Sequence, residues 1–188
     1  MVFRFLAFLV PLILLFSPVD AQEYSREMFM RSGWQQHDRM NTRHRILMER
    51  SLIPPELRDS NGTIKVIQGE WIDALTGRII GPANPDGVVE IDHVIPLKWA
   101  WDHGASVWSY EKRNRFANDR RFLIVTSRKS NNRKRAKGAD IFIPADHALA
   151  CTYLSTFSQA ALEYVLDIDY KTWTWIATNE KDACRGNS

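Results

Sequence analysis

The 188 residues are 45% hydrophobic, 25% charged and 11% aromatic, a balance that excludes a disordered or collagen-like chain. The length suits one domain with at most an extension, and no internal repeat, low-complexity tract or heptad run is present. The formal net charge of +3 conceals a strong local asymmetry in the second half of the chain.

Residues 1–21 read as a secretory signal peptide. Arg4 supplies a positive start, Phe5 to Phe16 an apolar run broken only by Pro11, and Val19 and Ala21 the small-residue cleavage positions. The apolar run is 12 residues, short of the roughly 17–20 that a membrane-spanning helix needs. Cleavage after Ala21 is therefore expected, leaving residues 22–188 as a single exported domain, periplasmic or secreted, with no membrane association.

Within that domain, apolar spacing from Met28 through Trp34, Met40, Ile46 and Leu47 to Leu52 predicts helix over 23–51, ended by Pro54-Pro55. His37 and His44 fall on that helix and are expected at its surface. Thr63 to Gln68 alternates as a strand does, and Trp71 to Ile80, with Thr76-Gly77 near its centre, predicts a hairpin. Pro82 to Gly87 reads as a loop and Val88 to Ile91 as a short strand ending at Asp92-His93. Ser109 can cap a helix running to about Asn118, Phe122 to Val125 is an apolar strand, and Ser127 or Ser130 can cap a further short helix. Pro144 opens a helix over about 146–166, and Trp173 and Trp175 are expected in the core of a last helical or extended piece.

Cys151 and Cys184 are an even pair in a chain expected to be exported, so a disulfide is the default. A closed loop of this size stabilises by about 3–4 kcal/mol on chain-entropy arithmetic. A catalytic or metal-binding thiol is the alternative, but neither Cys has a second Cys or a His at ligand spacing.

Residues 112–137 concentrate the positive charge. Lys112, Arg113, Arg115, Arg120, Arg121, Arg128, Lys129, Arg133, Lys134, Arg135 and Lys137 face the single acid Asp119, and the rest of the mature chain is net acidic. Such a stripe fits a polyanion held through salt-dependent backbone contacts, although a charge run can also be a solvated surface with no partner.

The chemically informative segment is Glu90-Ile91-Asp92-His93-Val94-Ile95-Pro96-Leu97. A carboxylate can hold a hard cation and an imidazole can take a proton near neutral pH. Adjacent strand residues point to opposite faces, so Asp92 and His93 can serve one site only if the strand ends or bulges there.

The order strand, Asp-His, helix, strand, Asn-bearing helix resembles the His-Asn-His (HNH, ββα-metal) endonucleases, especially their secreted bacterial branch. The matching residues are Ile91 to Leu97, Trp99-Ala100-Trp101, Gly104-Ala105, Trp108, Arg115-Phe116-Ala117-Asn118-Asp119, Asn131 with Lys134, and Ile143-Pro144. Upstream, Gly33-Trp34, Asn41-Thr42-Arg43 and Gly69-Glu70-Trp71 with Thr76-Gly77 also look like that branch. The resemblance runs from about Tyr24 to Trp173.

The resemblance implies an α+β fold, with a small antiparallel ββα-metal core over about 88–137 and flanking helices that include C-terminal ones over 144–183. It implies His93 as general base, Asp92 and Asn131 as ligands of one divalent ion, and Asn118 as the residue orienting the loop and imidazole. Asn132 is the alternative ligand; spacing to Ile143-Pro144 favours Asn131. So sparse an oxygen donor set suits Mg²⁺, with Mn²⁺ as an alternative. The basic stripe would hold the nucleic-acid backbone through Arg120, Arg121, Arg133 and Lys134, with Arg43 from upstream.

The leading expectation is thus an exported endonuclease acting on DNA, or RNA, with low sequence specificity, since no recognition helix or zinc finger is evident. The alternative is a secreted nucleic-acid-binding protein that keeps the fold without catalysis. A hydrolase of another kind lacks a nucleophile motif, there being no Gly-x-Ser-x-Gly.

Overall fold

The computed structural model describes residues 23–81 and 88–185; the expected leader at 1–21 and loop at 82–87 lie outside the described residues. The architecture is α+β, with small antiparallel sheets of two strands each embedded among helices.

The expected helix over 23–51 is corrected to a broken segment. A 3-10 turn at Arg26–Met28 is followed by a two-residue hairpin, β1 (Gln36–His37) with β2 (Met40–Asn41), and only α1 (Thr42–Glu49) is α-helical. The breaks have local causes. Gly33 and Asp38 sit at φ of 75° and 51°, outside helical space, and the Asn41 side chain accepts from the His44 amide, starting a new helix. His44 is not a surface residue in the expected sense: its Nδ1 accepts the Val66 amide at 3.1 Å, pinning α1 to the next sheet.

That sheet pairs β3 (Glu56–Ser60) with β4 (Thr63–Gln68) around Asn61-Gly62, both with positive φ, as a tight two-residue hairpin turn requires. β3 is exposed along its whole length, so it carries no hydrophobic alternation to announce it. The predicted hairpin at 71–80 is present as β5 (Trp71–Ile72) with β6 (Ile79–Ile80).

β7 (Val89–His93) and β8 (Leu123–Ser127) form the central antiparallel pair in regular register from Val89↔Ser127 to His93↔Leu123. Between them lie α2 (Leu97–Asp102) and α3 (Tyr110–Asn118), the latter capped by Ser109 as expected. α4 (Arg128–Lys134) follows β8 directly, capped by Ser127 rather than Ser130. One face of the pair, Val89, Ile91, Leu123 and Val125, packs with Ile46, Leu47, Val66, Trp71 and Ile80. The other cluster gathers Phe29, Trp99, Trp101, Phe116 and Phe122 against the C-terminal helices α5 (His147–Tyr164) and α6 (Tyr170–Arg185). The Cys151–Cys184 disulfide joins these two helices across a Cα separation of 4.8 Å. Trp173 packs at the edge of the core, but Trp175 is 40% exposed and does not belong to it. No helix among the described residues is long and apolar enough to cross a membrane.

A buried carboxylate positions α4. Asp73, 1% exposed, accepts from the amides of Leu75 and Ser127 and from the hydroxyls of Thr126 and Ser127, tying the β5–β6 hairpin to the start of the helix. Burial alone raises its pKa, but hydrogen bonds from Ser130, Leu75 and Ser127 outweigh this and hold it below 3.8. Its stabilisation is therefore complete above 3.8 and is lost as pH falls through the depressed folded value. Urea unfolding between about pH 5 and pH 2 should show a steep loss of stability in wild type. Asp73→Asn should be less stable at pH 5 and show a shallower slope; equal slopes would remove Asp73 from this role.

Arg135 ends α4 at φ 53° and ψ −132°, a region that suits glycine. Arg135→Gly should therefore raise stability by about 1 kcal/mol, read as an increase in the thermal midpoint; a decrease would show that the side chain contributes more than the strain costs.

Candidate active site

Glu90 and Asp92 are two apart on β7 and so share one face, which α4 covers. On α4, Asn131 and Lys134 are three apart and share the facing stripe. The two pairs meet in order. Asn131 Nδ2 donates to Glu90 Oε2 at 2.8 Å, and Lys134 Nζ donates to Asp92 Oδ2 at 2.8 Å. Arg128 Nε also reaches Glu90, at 3.0 Å. The two expected metal ligands thus stand in neighbouring positions of one seam, each bonded to a third residue rather than to the other. Asn131 bonds Glu90 through its amide nitrogen rather than through Oδ1, and Asp92 has one oxygen engaged by Lys134. These are oxygen donors only, the kind that hard cations take. Among the described residues no three His, Cys, Asp or Glu converge as a ready-made metal cluster.

Lys134 is a correction. It was expected to contact nucleic acid, but it is fully buried, and Nζ also donates to the His93 carbonyl at 2.7 Å. It is an internal cation linking the side chain of Asp92 to the backbone of His93. Burial lowers its pKa and the Asp92 carboxylate opposes the shift.

His93 is the last residue of β7 and is 4% exposed. Its Nε2 lies 2.8 Å from the Ala117 carbonyl oxygen, which can only accept, so Nε2 carries the proton. Its ring stacks on Trp34, with centroids 5.5 Å apart and planes 10° from parallel. Burial drives its pKa down to about 3, the Ala117 bond opposing and Arg26 and Lys134 reinforcing the shift. At neutral pH it is therefore an uncharged imidazole with Nδ1 unprotonated.

Asn118 is buried, and the bonds of its side chain go to the backbone of Gln35 and Asn114 rather than to the ring. Its Oδ1 accepts the Gln35 amide at 2.8 Å and its Nδ2 donates to the Asn114 carbonyl at 3.0 Å. It fixes the end of α3, and with it the Ala117 carbonyl, against the segment that carries Trp34.

The basic window is not one continuous stripe. Arg113 is buried, donating to the carbonyls of Met28, Ala105, Ser106 and Trp108. Arg120 is exposed but paired with Glu49, and Arg121 is exposed but paired with Asp119 and Glu163. Arg133 is exposed beside Thr76 and Arg78. Arg43 is half-buried, its Nη2 donating to the Val89 carbonyl at 2.9 Å, with Glu90 nearby. Sequence spacing alone overlooks Glu90, Trp34 and the Ala117 carbonyl. Glu90 lies two residues from Asp92 in a strand, which signals it; Trp34 lies far away in sequence, and Gly33-Trp34 belongs to the resemblance without pointing to the site.

A two-stranded antiparallel sheet closed by a short helix, with an Asp-His dipeptide at the strand end and an Asn on the helix, is the arrangement that the resemblance leads one to expect. The chain matches the family described as GmrSD restriction endonucleases, C-terminal domain, over residues 26–182. The chain belongs to that family. It is also 30% identical over 110 residues to an "Uncharacterized secreted protein" of the fungus Arthroderma benhamiae, covering 57% of this chain and 52% of the relative. The chain thus spans about half the length of the curated relative it matches, and that relative lies outside the bacterial branch its motifs resemble. No solved structure matches.

Proposed function

We propose that the chain is an exported, metal-dependent endonuclease of the HNH type that hydrolyses phosphodiester bonds in nucleic acid, DNA foremost, with low sequence specificity. The observation that carries this reading is the placement of His93: its Nε2 is held at 2.8 Å by the Ala117 carbonyl, and it adjoins the seam of oxygen donors that Asp92 shares with α4. Family membership supports the nuclease class. The leader-like residues 1–21 and the relative's printed name support export.

In this mechanism His93 Nδ1 accepts the proton of the attacking water. The Ala117 carbonyl keeps the ring in the right tautomer, and Trp34 keeps it in the right plane. Asn118 acts as a positioning residue through Ala117 and Gln35. Asp92 and Asn131 would hold one divalent ion, Mg²⁺ or Mn²⁺, with Glu90 orienting the Asn131 amide and Lys134 the Asp92 carboxylate. When bound, that ion supplies positive charge against the scissile phosphate and leaving oxygen. Arg133, Arg120 and Arg121 serve the flanking phosphates, the last two by exchanging protein carboxylates for substrate.

Purified residues 22–188 incubated with plasmid in Mg²⁺, Mn²⁺ or EDTA test this. Cleavage is expected with metal and none with chelator. Retention of plasmid on a gel with no cleavage under any metal would leave a binding protein that keeps the fold without catalysis.

A further inference from the structure

Beside His93 lies an open groove of roughly 580 Å³, within the range of small-molecule sites. Its walls include Trp34, Gln35, Gln36, Asn41, Tyr110 and Asn114, and none of its lining residues is charged. That is the wrong lining for a phosphate and the right one for a heteroaromatic ring. It offers two aromatic rings and four primary amides; Gln36 Nε2, Asn41 Oδ1 and Asn114 Nδ2 already bond within the protein, and the remaining capacity of these groups, with the side-chain amide of Gln35, is what can donate and accept along a base edge. Cations stand at the rings rather than inside the groove. The Arg31 guanidinium lies 4.2 Å from the Tyr110 centroid, and the Arg26 guanidinium lies 5.9 Å from the Trp34 centroid. They are placed to serve the sugar-phosphate chain that would lead a base in.

The groove is mechanically joined to the proposed general base. Trp34 is at once its wall and the stacking partner of the His93 imidazole. The Gln35 amide is held by Asn118, whose neighbour Ala117 accepts from His93 Nε2. Asn114 holds the Asn118 side chain through its carbonyl and donates to the Phe29 carbonyl at 3.0 Å, fixing the groove's floor.

We propose that this groove is a nucleobase subsite: it takes one unstacked base of a single-stranded segment next to the scissile phosphodiester, stacked on an aromatic side chain and read by the amides. This deepens the nuclease reading and rests on it. A base paired within a duplex cannot present both its face and its edge to such a groove, so single-stranded substrate is preferred.

The test separates bases from phosphates. Binding of a fluorescein-labelled thymidine 12-mer and of an abasic 12-mer of the same phosphate number is measured by anisotropy in EDTA. Wild type, Gln35→Ala and Tyr110→Leu are compared. Stacking of one base should make the abasic strand bind about tenfold more weakly to wild type. That ratio should fall below about threefold in Tyr110→Leu and to an intermediate value in Gln35→Ala. Gln35 is exposed, so its replacement leaves the fold intact, and thermal midpoints check both variants. Equal binding of the two strands by wild type, or a tenfold ratio unchanged in both variants, overturns the subsite. Plasmid cleavage is scored separately. Cleavage with a flat base dependence removes only the subsite; base dependence without cleavage removes only the nuclease reading.

Discussion

His93→Ala is expected to lower metal-dependent plasmid cleavage by two to four orders of magnitude, the usual contribution of a positioned general base. Retention of DNA should be unaffected, because the arginines proposed to hold the backbone lie elsewhere. The ring is buried between Trp34 and the Ala117 carbonyl, so its removal also leaves a cavity and costs stability. Added imidazole distinguishes the two effects. It can enter the cavity and restore part of the cleavage if the ring's chemistry was lost, and it cannot repair a structural defect in catalysis elsewhere. A folded His93→Ala protein that cleaves within tenfold of wild type would remove His93 from the mechanism.

The second large effect is at Lys134. Removing one partner of a buried ion pair leaves the other charge unpaired and typically costs about 3–5 kcal/mol. Lys134→Met keeps the length of the side chain but strips the charge from beside Asp92 and the donor from the His93 carbonyl. For a domain of this size that corresponds to a fall of roughly 10 °C in the thermal midpoint. The variant also reports on the metal. If Asp92 is a ligand, Mg²⁺ should raise the midpoint of Lys134→Met by more than it raises wild type, because the ion takes over the charge that Lys134 balanced. Equal shifts in the two proteins would show that Asp92 holds no cation, and a midpoint unchanged by the substitution would show that the pair contributes little.

The parts of this fold that could be read from sequence are those whose cause is local. Ser109 and Ser127 cap the helices that follow them, the 71–80 hairpin turns at Gly77, and the Cys151–Cys184 bridge follows from an even pair. The misread segment, 23–51, carries apolar residues at helical spacing, yet Gly33, Asp38 and Asn41 break it locally and distant groups hold the pieces in place. Gln35 is held by Asn118 and Trp34 by His93, contacts that no window of neighbouring residues contains. The same holds at the site. The dipeptide Asp92-His93 was visible, but the function of Lys134 was inverted, because charge composition says nothing about burial. A lysine in a basic run looks solvated until the helix carrying it is laid on a carboxylate-bearing strand.

Asp73 bears on how this ββα unit can be used. The strands and helix that carry Asp92, His93 and Asn131 form a continuous stretch of chain, and the stretch invites excision as a portable cutting module. It is incomplete by itself. Its helix start is held by a carboxylate from the preceding hairpin, and its imidazole leans on an indole from a segment still further upstream. Transplanted alone, the unit would lose the groups that seat α4 and orient the ring. Recombination or engineering must therefore move the upstream residues together with the motif.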